Sequence, residues 1–450
     1  MKPVVRFAPS PSGRLHVGNV RTALINWLYA RHRGGRTILR FDDTAAGADV
    51  ADRIADIETD LAWLGLDWDQ KERQSARDTV HEAALSRLRA AGRLYPCYET
   101  AEELAAKRER QRARGRPPVY DRAALALSDD DRQALEADGR RPHWRFLLEP
   151  AAAEWTDLAR GPVRVSAATF SDPVVVREDG TVLYALASVA DDMDMGVTHV
   201  IRGDDHVPNT AVQMQMIAAL GGEPPVFGHL PLIVDADGRP LSKRLAAAAL
   251  GELRADGVEP MAVNVLLAGL GTGRPLAPCD SLTALAETLE LAAFGRNPAR
   301  FDLDQLRQLS ARTLRAMPFE EVADRLRSLE LSPVTSEFWD AVHDNLDRLD
   351  DAAQWHAVCF GTIAPVADDA DLMATATATL PAEPWSEDAW GAWTKAVAAA
   401  TGLRGRALYR PLRLALTGAE HGPELKKLLP IIGRERVLDR LNPPAPASPR

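Results

Sequence analysis

The segment from Val4 to Phe41 constrains the fold more than any other part of the chain. Val4 to Ala8 is a short apolar run that stops at Pro9-Ser10-Pro11-Ser12-Gly13, and a periodic stretch begins near Val17. Prolines and a glycine at that density interrupt any regular element, so the spacing predicts strand, loop, helix. Val20, Ala23, Leu24, Trp27 and Leu28 recur at helical spacing, Gly34-Gly35 stops the helix, and Arg36 to Phe41 resumes as a strand. Two strands joined through a helix form a βαβ unit, which calls for a parallel sheet with ligands beyond the carboxyl ends of its strands. A second helix is predicted from Asp49 to Leu64, with Ile54, Ile57, Leu61 and Leu64 on one face.

From about Leu94 to Tyr184 the pattern is mixed: a charged helix at Ala101 to Arg114, proline punctuation, and strand-like runs at Trp144 to Leu148 and Val174 to Arg177. This reads as an insertion, because Thr198 to Ile201 and the helical Asn209 to Leu220 restore the α/β pattern. After Pro240-Leu241-Ser242-Lys243-Arg244 only helices separated by Pro and Gly are predicted, ending in an irregular tail at Pro443-Pro444-Ala445-Pro446. A chain of 450 residues is long enough for about three domains. Its acid excess, 64 against 54 basic residues, argues against indiscriminate nucleic-acid binding but leaves room for a local basic groove. Cys97, Cys279 and Cys359 are too far apart for a CxxC pair. No apolar run approaches the ~18 residues of a membrane span, and prolines interrupt the first ten residues where a signal peptide needs an apolar stretch. A cytoplasmic, unexported protein is expected.

The first cluster able to carry chemistry is Arg6, Ser10, His16, Gly18 and Arg21, where strand end, loop and helix start converge. A helix start offers free N–H groups to phosphate, Gly18 lets a nucleotide approach the backbone, and His16 can donate to a phosphoryl oxygen as charge builds. The same residues also fit a capped surface helix. Likewise Ser242-Lys243-Arg244 fits a surface turn or a phosphate clamp, and Lys107 to Arg116 fits a solvated helix face or a contact with RNA phosphates.

RFAPSPSGRLHVGNVRTAL closely resembles the first signature of class I aminoacyl-tRNA synthetases in its glutamate-specific form, with His16 to Asn19 at the HIGH-type motif. The resemblance continues through LRFDDT (39–44), PPVYDR (117–122), DGTVLYALASVADDMDMGVTHVIRGDDHVPNT (179–210), PLSKR (240–244) and GRALYRPLRLALTGAEHGPEL (405–425), in family order over almost the whole chain. It implies a Rossmann-like α/β catalytic domain with an inserted subdomain for the tRNA acceptor end, followed by an all-α anticodon-binding region. The expected divisions are 1–93 and 185–235 for the catalytic halves, 94–184 for the insertion, 236–310 for the KMSKS-type loop and stem-contact region, and 311–450 for the anticodon-binding region.

The resemblance further implies ATP-dependent ligation of L-glutamate to the 3′ end of glutamate tRNA through a glutamyl-adenylate. In it His16 and Lys243 are catalytic; His16, Gly18, Asn19, Ser242, Lys243 and Arg244 hold ATP with its Mg²⁺. Arg6 and Tyr184 take the glutamate side chain, Arg202 the α-carboxylate, and Ser10 with Asp42 the ammonium group. Lys107, Arg108, Arg110 and Arg112 are expected to meet the acceptor end, and Arg406 and Arg410, with Arg404, Arg413 and Tyr409, the anticodon region. A monomer is implied, with glutamine tRNA a second possible partner and the first step requiring bound tRNA. Pro240 replaces the first lysine of the family's mobile loop, Asp42 stands where many members have Glu, and Ala45 where an acidic residue is usual. No structural zinc is expected, since no second Cys or suitable His lies between Cys97 and His143. A glutamyl-queuosine type of enzyme, which lacks the anticodon-binding region, and a catalytically silent tRNA- or nucleotide-binding paralogue are the alternatives. Trp385, Trp390 and Trp393 are expected to be packing residues.

Overall fold

The structure is a computed structural model that describes residues 2–44, 49–166, 170–235, 237–239, 249–364 and 366–442. The chain opens with β1 (Val4–Phe7), α1 (Val17–His32), β2 (Arg36–Phe41), α2 (Val50–Trp63), β3 (Gln70–Arg73) and α3 (Asp78–Ala90). β1, β2 and β3 pair in parallel in that order, with Arg6 opposite Ile38. The βαβ unit is thus present as its periodicity demands, and Gly35 shows why the turn is tight. A Cβ there would sit 2.2 Å from the carbonyl oxygen of Pro3, so only glycine lets helix exit and strand start lie together. Of the predicted face of α2, Ile57, Leu61 and Leu64 are buried and Ile54 is half-buried.

The next stretch holds β4 (Leu94–Cys97), α4 (Ala101–Ala113), α5 (Asp129–Ala137), β5 (His143–Phe146), β6 (Ala152–Asp157), β7 (Gly161–Ser166) and β8 (Val174–Val176). β4, β5 and β8 form an antiparallel sheet, and β6 and β7 form a separate hairpin. α4 begins with a capping box, Thr100 against Glu103. The chain then forms α6 (Tyr184–Asp194), β9 (His199–Gly203), α7 (Val207–Ala219), β10 (Val226–Leu230) and β11 (Ile233–Val234). β9 and β10 are parallel, and Thr198 ties the start of β9 to β1 by donating its N–H to the Val4 carbonyl at 2.9 Å. One apolar cluster joins Leu85 and Leu88 of α3 to Phe146, Val175, Leu186 and Met216, so the antiparallel sheet shares a core with the helices beside it.

Helices follow: α8 (Leu250–Ala255), α9 (Pro260–Gly269) and α10 (Leu282–Glu287). One exception to the predicted absence of strands is β12 (Ala299–Arg300), which pairs in parallel with β11. Two residues carry no period that a sequence pattern can register. Nine more helices run from α11 (Leu303–Ala316) to α19 (Arg434–Leu441) among the described residues.

The chain divides into two compact units, Met1–Arg254 with Val263–Leu303, and Ala255–Ala262 with Asp304–Arg450. The second has its own core, in which Trp339, Trp393, Phe338 and Leu428 are buried and Trp385 and Trp390 pack partly against them. Arg440 is buried there and donates to the carbonyls of Leu416 and Val358, both at 2.7 Å. Among the described residues no helix is long and apolar enough to cross a membrane.

Candidate active site

A cavity of about 450 Å³ in the first unit opens where the ends of β1 and β9 meet the start of α1. Arg6, Ser10, His16, Gly18, Asn19, Tyr184 and Arg202 all line it. Residues separated by almost 200 positions are thus collected at the carboxyl edge of a parallel sheet, as expected for this topology.

His16 is the N-cap of α1, and its Nδ1 accepts the Gly18 N–H at 3.1 Å. Partial burial pushes the imidazole below its usual range. A neutral ring whose Nδ1 accepts must carry its proton on Nε2, which leaves that nitrogen a donor. Gly18 is needed by this arrangement as well as by any nucleotide, because a Cβ on it would meet Cε1 of His16 at 2.9 Å.

Four buried arginines line the cavity, and three of them, Arg6, Arg40 and Arg202, face two different electrostatic situations. Arg40 donates to Asp42 Oδ1 and to Asp192 Oδ1, each at 2.7 Å, with Asp191 at 3.7 Å. Burial opposes its charge, but Asp192, Asp42 and Asp191 hold the guanidinium above its usual range. Arg6 shares Asp192, with Nε 3.2 Å from Oδ2. Arg202, only 4% exposed, has no carboxylate partner among the described residues. Its Nη1 donates to the Tyr184 hydroxyl at 3.4 Å, and its Nη2 donates to Thr210 Oγ1 and Gln213 Oε1, both at 2.7 Å. Burial lowers its pKa. A desolvated guanidinium with only neutral partners favours an anionic ligand.

Asp42 does not line the cavity; both of its oxygens turn to Arg40, at 2.7 and 3.4 Å, and burial raises its carboxyl pKa despite that arginine. Arg21 does line it but is spent on backbone, donating to the carbonyls of Pro231 at 2.8 Å and Leu270 at 2.7 Å. Ser242, Lys243 and Arg244, like Pro240 and Ala45, lie outside the described residues. Val234, before that group, lines the cavity, and Ala249, after it, forms an antiparallel bridge with His16.

Sequence reasoning missed Ser188, which lines the cavity with its hydroxyl buried and without a hydrogen-bond partner among the described residues. The available signal was its spacing of four from Tyr184, which puts both on one helix face. It also missed Asp192, the carboxylate shared by Arg6 and Arg40.

On α4, which buries none of its residues, Arg108, Arg110 and Arg112 are exposed. Lys107 is engaged by Glu99 at 3.0 Å and Asp121 at 3.2 Å. In the second unit Arg406 and Tyr409 are exposed, and Arg410 is ion-paired with Glu420. Cys97 is buried beside the Tyr120 hydroxyl, and no group of three or more metal-ligating side chains occurs among the described residues.

Residues 2–289 match the family model for the catalytic domain of class I tRNA synthetases (E and Q), and residues 315–443 match an anticodon binding domain. The fold and the site therefore define a class I aminoacyl-tRNA synthetase. Glutamate–tRNA ligase 2 of Methylobacterium sp. (strain 4-46) is 54% identical over 98% of this chain and 99% of its own length. Glutamate–tRNA ligase 1 of Parvibaculum lavamentivorans is 54% identical over 98% of each. A crystal structure of a glutamate tRNA ligase from Elizabethkingia meningosepticum in complex with its amino acid superposes with a TM-score of 0.85 at 26% identity, covering 98% of this chain and 99% of that one. The chain belongs to the glutamate–tRNA ligase family.

Proposed function

We propose that this chain ligates L-glutamate to the 3′ end of glutamate tRNA, using ATP to form a glutamyl-adenylate in the 450 Å³ cavity. The observation that carries the assignment of the site is the pair of arginines at the strand ends. Among the described residues Arg202 has only neutral partners, and Arg6 shares Asp192 with Arg40. Of the four arginines that line the cavity, Arg21 is committed to backbone carbonyls and Arg40 to Asp42 and Asp192, which leaves Arg6 and Arg202 for the two carboxylates of an amino acid. We assign the α-carboxylate to Arg202 and the side-chain carboxylate to Arg6 and Tyr184. The ammonium group falls to Ser10 directly and to Asp42 through a water.

In the first step a glutamate carboxylate oxygen attacks the α-phosphorus of ATP and pyrophosphate leaves. Charge grows on the phosphoryl oxygens, where the Nε2–H of His16, the backbone N–H of Asn19, and Ser242, Lys243 and Arg244 act, while Gly18 lets the nucleotide come close. A preorganised donor of this kind is typically worth roughly 3 kcal/mol of barrier. Magnesium travels with the nucleotide and offsets its charge. In the second step a terminal ribose hydroxyl of tRNA attacks the acyl carbon and AMP departs. No side-chain nucleophile is involved; positioning and electrostatics suffice.

The helical unit matched by the anticodon-binding model favours this reaction over modification of a tRNA base. We place the protein in the cytoplasm as a monomer, with glutamine tRNA as a second acceptor to be tested. Purified protein should charge glutamate tRNA with labelled glutamate only when ATP is present, with glutamine tRNA run beside it. Folded protein that charges neither would overturn the assignment.

A further inference from the structure

The tip of the hairpin of β6 and β7 closes on β10 rather than projecting into solvent. Leu158 N–H donates to the Phe227 carbonyl at 2.8 Å, and Gly228 leaves so little room that a Cβ on it would lie 3.3 Å from Cβ of Leu158. Asp157, at the end of β6, is thereby buried beside β10. Its Oδ1 accepts backbone N–H groups of Ala159 at 3.0 Å, Arg160 at 3.1 Å and His229 at 3.0 Å. Its Oδ2 lies 2.5 Å from Nδ1 of His229 and accepts Trp155 Nε1–H at 3.2 Å. His229 is wholly buried and stands opposite Arg202 in the pairing of β9 with β10. Its Nε2 is 2.9 Å from Thr210 Oγ1, the atom that accepts from Arg202.

We infer that Asp157, although it lies in the inserted segment, is a positioning residue for glutamate, fixing the Arg202 guanidinium through His229 and Thr210. The inference rests on the assignment of Arg202 to the substrate carboxylate. The proton arrangement follows from the partners. A carboxylate held by three backbone N–H groups is an acceptor, so Nδ1 of His229 carries a proton. Burial and the nearby Arg202 disfavour an imidazolium, and in a neutral ring protonated on Nδ1 the Nε2 atom is an acceptor. The Thr210 hydroxyl, 2.9 Å from Nε2 and 3.3 Å from the His206 carbonyl, then points its hydrogen at the nearer Nε2 and its lone pair at Arg202. Every bond in the chain is polarised in one direction, which strengthens each link. Burial alone would lift the Asp157 carboxyl, but hydrogen bonds from the His229 side chain and backbone bring it down to about 2.

Two neutral groups between the acid and the guanidinium have a functional consequence. A carboxylate in direct contact would neutralise Arg202 and compete with the substrate. At the far end of a relay the acid sets the orientation of the fork and leaves its charge to the ligand. The relay also joins the inserted segment to the amino-acid cavity, so a displacement of the hairpin changes glutamate affinity.

The test is steady-state charging of glutamate tRNA by the full chain. Thr210→Val replaces the hydroxyl by a methyl group of similar size, and Asp157→Asn keeps shape while removing the charge. Each is expected to raise the glutamate KM about tenfold, with kcat and the ATP KM within twofold, because a ground-state contact is lost. Thr210→Ser restores the hydroxyl and brings the glutamate KM back toward the parent value. The double variant should be no worse than the worse single one, since both break one chain. Unchanged glutamate KM in Thr210→Val, beside a raised KM in Arg202→Lys, overturns the relay; so does a double variant whose two effects multiply. If Arg202→Lys also leaves the glutamate KM unchanged, the assignment of Arg202 itself fails. Should Asp157→Asn not fold, Thr210→Val and Thr210→Ser decide the matter alone.

Discussion

Gly18→Ala separates catalysis from stability in one substitution. Gly18 is the second residue of α1, and in a helix alanine is favoured over glycine by roughly 0.5–1 kcal/mol. The folded protein should gain stability, or lose none. The added Cβ would sit 2.9 Å from Cε1 and 3.0 Å from Nδ1 of His16, where ordinary contact begins at 3.4 Å. The imidazole must therefore move by about half an ångström, and the Gly18 N–H to Nδ1 bond that fixes its tautomer is distorted. A misplacement of ~1 Å in a reacting assembly can cost ~100-fold in rate, so a fall in kcat of about 10- to 100-fold is expected. Charging assays at saturating glutamate read kcat, a thermal melt reads stability, and the glutamate KM serves as the control. Parent-like kcat in a variant with a parent-like melt would refute the placement of His16 at the reacting phosphate. A lower melting temperature with unchanged kcat would refute the account of Gly18 altogether.

Gly35→Ala should instead harm stability alone: its Cβ would meet backbone, the Pro3 carbonyl at 2.2 Å, and a cost of about 1–3 kcal/mol should appear as a lower thermal midpoint with parent KM values. Acid should remove a contribution from Asp157. Its folded pKa of about 2 lies below the unfolded value, so the stabilisation is present above about pH 4 and lost as pH falls through 2. Denaturant midpoints of the parent and Asp157→Asn across pH 2–5 should converge toward the acid end; a constant gap would contradict the assignment. On α4 the exposed Arg108 and the ion-paired Lys107 should behave differently. Arg108→Ala should weaken tRNA binding and lower the slope of log K against log salt by about one if it meets a phosphate, while Lys107→Ala should leave that slope unchanged.

Periodicity made much of this molecule legible. The β1–α1–β2 unit, the amphipathic α2 and the return to α/β at β9 all follow from spacing, because each places apolar residues on one face of a regular element. The motif residues could be read for the same reason: His16, Gly18 and Asn19 sit together at one helix start. What could not be read was contact across the chain. Asp192 is only a polar residue in an α6 pattern until Arg6 and Arg40 are folded against it. Asp157 and His229 are 72 positions apart, and no local pattern predicts that the tip of an inserted hairpin closes on β10. Asp42 sits at the end of β2, as the sequence suggests, yet Arg40, two residues earlier on the same face, takes its carboxylate.

The central claim is that Arg202, without a carboxylate among the described residues, and Arg6, sharing Asp192 with Arg40, receive the two carboxylates of the ligand, and discrimination between glutamate and glutamine tests it most directly. The measurement is kcat/KM for charging one glutamate tRNA with each amino acid. With glutamine Arg6 keeps only Asp192, which it shares with Arg40, and the lost charge-assisted contact should cost glutamine about 10²–10³-fold. Comparable values for the two amino acids would contradict the account.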